Sequence, residues 1–126
     1  MDTILACLFI GVLIPSVLAG FGTFSRMRQF GAIDNKDPRG QSAKLEGVGA
    51  RAVAAQQNAW EALAVFIAGV VAFSMQGGDP EAASTWALVW VVARIGHALC
   101  YLANLDVLRS LIYFVALFAA LALFFV

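Results

Sequence analysis

Charge is scarce in this chain. Only 13% of its residues are Asp, Glu, Lys or Arg, against 62% hydrophobic, whereas a soluble domain runs nearer about 45–50% apolar and needs a larger polar surface. Polar stripes are scarce too. A soluble four-helix bundle would carry one on every helix, but residues 3–24 and 110–126 show almost none. Excess charge of one sign is absent, since eight basic residues face eight acidic ones, and nothing favours nucleic acid as a partner. Cysteine is limited to Cys7 and Cys100, both inside apolar segments. They fit no metal or redox spacing and read as buried free thiols. A basic n-region is missing as well, so the N-terminal segment does not read as a cleavable signal.

What is present is apolar length. Four runs stand out, Thr3–Phe24, Ala50–Phe73, Ala82–Leu102 and Val107–Val126. Each is about 20 residues or more, the length needed to cross a hydrocarbon core of about 30 Å. At that length only helices satisfy their own backbone in lipid. The sequence therefore predicts an all-α integral membrane four-helix bundle as a single domain over residues 1–126. Pro15 should bend the first helix. Residues 26–49 read as a long polar loop. Residues 76–81, QGGDPE, form a tight turn in which Asp79 caps the third helix with Pro80 at its first position. Asp106 is expected to cap the fourth.

Basic residues set the orientation. Arg26, Arg28, Lys36, Arg39, Lys44 and Arg51 lie in or beside the first loop, and Arg109 lies just past the third. The positive-inside rule places both loops in the cytoplasm and both termini outside it.

Within these apolar runs sit a few residues that are costly in lipid and mark functional sites by default. In RAVAAQQNAWEALAVF, residues 51–66, Arg51, Asn58 and Glu61 share one helical face. In ARIGHALCYL, Arg94, His97 and Tyr101 do the same at i, i+3 and i+7. The fourth helix opens with Arg109 and Ser110, and Tyr113 follows one turn on. All three stripes belong to the cytoplasmic half. Part of this set could simply glue the bundle, with Glu61 paired to Arg94 and Asn58 bonded across helices. Trp86 and Trp90 read as lipid-facing or interfacial anchors. A transporter would need an inverted repeat or a broken helix pair, and neither is visible.

Two of these segments resemble a known family. RAVAAQQNAWEALAVF is similar to the second-helix signature of the membrane-associated proteins in eicosanoid and glutathione metabolism, the MAPEG family: a basic start, Asn-x-x-Glu, then an apolar run. ARIGHALCYLANLDVLRSLIYFV resembles that family's third-to-fourth helix segment, with Arg, His and Tyr followed by Arg-Ser. The resemblance implies a homotrimer in a membrane, here a bacterial inner membrane, with glutathione held between subunits near the cytoplasmic leaflet. It implies conjugation of glutathione to a lipophilic electrophile, or reduction of a lipid hydroperoxide. By motif, Asn58 and Glu61 would hold the glutathione backbone and amino group. Arg94, His97 and Tyr101 would hold the tripeptide, and Arg26 or Arg28 would reach a carboxylate. Arg109, with Ser110 and Tyr101, would stabilise the thiolate. Glutathione-using members carry arginine four residues before the motif asparagine. This chain has Ala54 there, and Arg51 is the nearest cation on that face. A non-catalytic member with a lipid-binding or assembly role is the competing expectation.

Overall fold

The computed structural model describes residues 2–126. Five helices follow one another: α1 (Thr3–Phe30), α2 (Pro38–Ala43), α3 (Gly47–Gln76), α4 (Pro80–Leu102) and α5 (Asp106–Ala122). Among the described residues there is no strand. α1 opens where the Asp2 carboxylate accepts from the Ile4 amide at 2.8 Å, filling one of the unpaired donors of a helix start. It runs on through Pro15, which is buried, and reaches Phe30 rather than Phe24. Gly31 closes it in the left-handed region, φ 77°, with its N–H on the Met27 carbonyl.

The turn between α3 and α4 follows the expectation. Asp79 accepts from the Glu81 amide at 2.9 Å, and Pro80 takes the first helical position. The turn before α5 does not. Leu105 occupies the capping position and Asp106 is already the first helical residue, with no side-chain cap. The reason is Asn104, which turns the chain in the left-handed region at φ 60° and starts the helix one residue early. The Asp106 charge still sits at the positive end of the helix dipole.

The segment expected to be a polar loop is largely structured. Helices α1 and α3 extend into it, α2 fills its middle, and two glutamines staple the remainder. Gln41 accepts from Arg26 Nη1 and the Asp34 amide and donates to the Ala32 carbonyl. Gln29 donates to the Lys44 carbonyl and accepts from the Glu46 amide.

The long helices run up and down. The chain termini and the Gly77–Asp79 turn lie at one end, here the terminal end, and residues 31–46 and 103–105 lie at the other, the loop end. α1 packs chiefly on α3 and α4 on α5, while α4 also touches α1 and α3 touches both α4 and α5. The main core fills the terminal half. Its base is a face-to-face stack of Phe66 on Trp90, with centroids 4.0 Å apart and an interplanar angle of 7°. Trp90 is only 2% exposed, so it is a core residue and not the lipid anchor its sequence suggested. Small residues around it let the aromatic pair sit between backbones. Trp86 faces outward. At Gly69 the backbones of α3 and α5 nearly touch: an added Cβ would stand 2.5 Å from the Ala120 carbonyl oxygen.

Helices α1, α3 and α4 are long and apolar enough to cross a membrane. α5 has 17 residues, about 25 Å at 1.5 Å per residue, and stops at Ala122 rather than Val126. Phe9, Val17, Val92, Leu99 and Phe118 are among the large apolar side chains left exposed on the surface, as a lipid surrounding allows.

Candidate functional site

Below the Phe66–Trp90 stack, the interior changes character. One turn beyond Trp90, α4 places Arg94 inside the bundle at 1% exposure, and three residues later His97 at 2%. The sequence makes this possible because α4 is otherwise apolar there, and the i, i+3, i+7 spacing puts Arg94, His97 and Tyr101 on one face.

A buried guanidinium must be bonded, or its desolvation is uncompensated. Arg94 Nη2 donates to the Asn58 side-chain carbonyl on α3 at 2.8 Å. The expected pairing with Glu61 does not form. Asn58 lies nearly one turn closer to the loop end, and its amide oxygen takes the donor first. Glu61 is exposed. Arg94 Nη1 and His97 Nδ1 have no partner, although both are buried. Two unmet polar groups this close together are uncommon in a folded chain and call for an explanation.

From α5, Arg109 lies over the face of the Tyr101 ring, 4.4 Å from its centroid, a cation–π contact. The Tyr101 ring meets His97 edge-on at 5.6 Å, and Tyr113 approaches His97 at 6.3 Å. The Ser110 hydroxyl donates back to the Asp106 carbonyl at 3.1 Å. Two hollows result. The outer one, about 330 Å³, is lined by Asn58, His97, Tyr101, Arg109, Ser110, Tyr113 and Phe114. The inner one, about 80 Å³, lies between α3, α4 and α5 beside Asn58, Glu61, Arg94 and Tyr113 and is finished by apolar side chains up to Trp90. Asn58 and Tyr113 line both.

The structure thus gathers Asn58, Glu61, Arg94, His97, Tyr101, Arg109 and Ser110 around adjoining hollows. It does not gather the three remaining candidates. Arg51 directs Nε and Nη2 to the Leu102 carbonyl at 3.3 and 3.2 Å, where it closes the C-terminal end of α4, a favoured place for a cation. Arg26 is buried and holds Gln41 and Thr23. Arg28 is exposed beside the Phe24 ring. Sequence reasoning placed Tyr113 on the polar stripe of the last helix but gave it no role. Its i+4 spacing from Arg109 was the available signal.

The fold and the site define an all-helical membrane protein with a cationic, aromatic-walled site between helices, open on one side and holding two buried nitrogens, Arg94 Nη1 and His97 Nδ1, that have no partner. The MAPEG family model matches residues 3–126, and the chain belongs to that family. Among curated proteins no significant match was found.

Proposed function

We propose that the protein is a membrane-embedded glutathione-dependent transferase or peroxidase acting on a lipophilic electrophile or lipid hydroperoxide. The observation that carries this reading is the pair of unmet donors and acceptors, Arg94 Nη1 and His97 Nδ1, beside Arg109 and three hydroxyls. The chemistry of the set suits glutathione. Guanidinium forks recognise carboxylates, and glutathione brings two. Glu61 can accept from its amino group, and Tyr101 and Tyr113 can donate to its peptide carbonyls. Glutathione supplies a thiol nucleophile, which reacts as thiolate. Arg109, fixed over Tyr101, supplies the positive charge that favours the thiolate.

Glu61 also supports assembly. Glu61 is exposed at the edge of the inner cavity, and a carboxylate left facing lipid at mid-membrane costs about 2.5–3.5 kcal/mol. A second copy of the chain would remove that cost. A closed homotrimer of four-crossing protomers, with α5 as the short fourth crossing, accounts for this and for the site's open side. The distribution of Lys and Arg supports a cytoplasmic loop end, in a bacterial inner membrane. An impermeant thiol reagent added from outside should leave a Lys36→Cys protein unlabelled; labelling would reverse the orientation.

Thiolate absorbs in the near ultraviolet and thiol does not. Glutathione added to the protein near neutral pH should raise that absorbance beyond free glutathione. Arg109→Ala should remove the increment, a loss of roughly 1–3 kcal/mol of thiolate preference. Arg109→Lys should keep part of it. No increment in the wild type would defeat the reading.

A second reading, a non-catalytic lipid-binding or assembly protein, draws on Ala54. The arginine that glutathione-using members carry there is missing, and the nearest cation on that face, Arg51, is committed to the Leu102 carbonyl. Absence of the thiolate increment in a correctly assembled protein would favour it.

A further inference from the structure

A third hollow, of about 370 Å³, lies between the loop ends of α1 and α3 and shares no residue with the two described above. Its size falls within the roughly 300–1,000 Å³ of small-ligand sites. At its floor the two helices nearly touch, because Gly49 has no side chain: a Cβ there would stand 2.8 Å from the Ser25 Cβ. Phe21, Phe24 and Val48 give it apolar walls, and all three are exposed. Arg28 and Glu46 complete the lining, a cation from one helix and an anion from the start of the other. Arg28 rests against the Phe24 ring, 5.9 Å from its centroid. The Glu46 carboxylate makes no capping bond to α3. Its backbone is nevertheless held in place. The Glu46 amide donates to the Gln29 side-chain oxygen at 3.0 Å, and the Gln29 amide donates to the Lys44 carbonyl at 3.1 Å.

Depth narrows the choice of occupant. α1 has 28 residues, about 42 Å at 1.5 Å per residue. That matches a bilayer with its headgroup layers, about 40–45 Å, rather than the hydrocarbon core alone. Arg28, near the end of α1, therefore falls among headgroups, and Phe21, about 10 Å further in, among the first acyl carbons. The charges narrow it further. A guanidinium fork recognises phosphate, and a carboxylate accepts from an ammonium. A headgroup with negative charge only would meet Glu46 as well as Arg28. A quaternary ammonium would offer Glu46 no N–H. A phosphate joined to a primary ammonium suits both.

We propose that this hollow is a phospholipid site, with a phosphatidylethanolamine phosphate on Arg28, its ammonium on Glu46, and its acyl chains along Phe21, Phe24 and Val48. The lipid then ties α1 to α3 at the loop end, where the buried apolar cluster is small. The site does not depend on any thiol chemistry.

Native mass spectrometry of the detergent-solubilised protein, titrated with dioleoyl phospholipids, counts the bound lipid. Phosphatidylethanolamine should bind at least fivefold more tightly than phosphatidylglycerol or phosphatidylcholine. Glu46→Gln should remove that preference, and Glu46→Lys should turn it toward phosphatidylglycerol. Arg28→Ala should weaken phosphatidylethanolamine at least fivefold, whereas Lys36→Ala, elsewhere in the basic segment, should leave it unchanged. Both site residues are exposed, so these variants keep the packing of the bundle. Free phosphoethanolamine at tenfold excess should not displace the lipid, since it leaves the apolar walls uncovered; displacement would overturn the lipid as occupant. Equal affinity for the three lipids, or tightest binding of phosphatidylglycerol, would overturn the site and leave a basic surface only. A preference that survives Glu46→Gln would overturn the ammonium contact. Equal losses in Lys36→Ala and Arg28→Ala would overturn the phosphate contact.

Discussion

The two halves of this bundle solve opposite problems with the same four long helices. At the terminal end, small residues bring α3 and α5 to backbone contact, and alanines and one aromatic stack pack α4 against them. Among the described residues, no charged side chain is buried there. At the loop end, only Leu18, Ala55 and Ala59 form a buried apolar cluster, and the space beside it is given to Arg94, His97 and the hollows around them. Lipid lends no hydrophobic force to helix association, so stability comes from close packing. The half that packs can therefore carry the half that does not. The dividing level is one helical turn of α4, between Trp90 and Arg94.

That division is tested most strongly at its base. Trp90→Ala removes the stack on Phe66 and opens the core, and should cost about 3–5 kcal/mol. Unfolding in a mixed-micelle detergent titration would measure it. A cost under about 1 kcal/mol would mean that the terminal half is not the stabilising one.

Glycines give a milder contrast within one experiment. Gly69→Ala drives a methyl group into the Ala120 carbonyl and should cost about 1–3 kcal/mol as overpacking. Gly96, in the loop half, has only Ile112 within reach, at 3.7 Å. Gly96→Ala should therefore be neutral or stabilising by up to about 1 kcal/mol, since alanine is the better helix former. Melting temperatures of the two variants in one detergent would rank them, and the reverse order would erase the contrast.

Much of this was legible in the sequence, for reasons that differ by residue. The long helices announce themselves by apolar length, and Asp79-Pro80 marks a helix start because cap and ring chemistry are local. The face shared by Arg94, His97 and Tyr101 follows from helical periodicity alone. The burial of Trp90 was not legible, because a tryptophan in an apolar run looks the same whether it meets lipid or Phe66. Nor was the Asn58–Arg94 bond. Two residues 36 positions apart meet only once the crossing of α3 and α4 is set, and Glu61 was an equal candidate until then. Asp106 failed as a cap because the left-handed turn at Asn104, a single backbone angle, shifted the helix start.

Arg51 offers the smallest effect and the sharpest separation of structure from function. On sequence it belongs with Asn58 and Glu61 on one face. In the fold it spends two donors on the Leu102 carbonyl at the end of α4. That bond is partly exposed, so solvent replaces much of it when it is lost. Arg51→Met keeps the apolar stem, and should cost only about 1 kcal/mol. The glutathione-induced thiolate absorbance should be unchanged, because Arg109 and Arg94 are untouched. A variant that melts slightly earlier but keeps the full increment assigns Arg51 to the fold. Loss of the increment at unchanged melting temperature would instead return Arg51 to the site, and would mean that its side chain leaves Leu102 when glutathione binds.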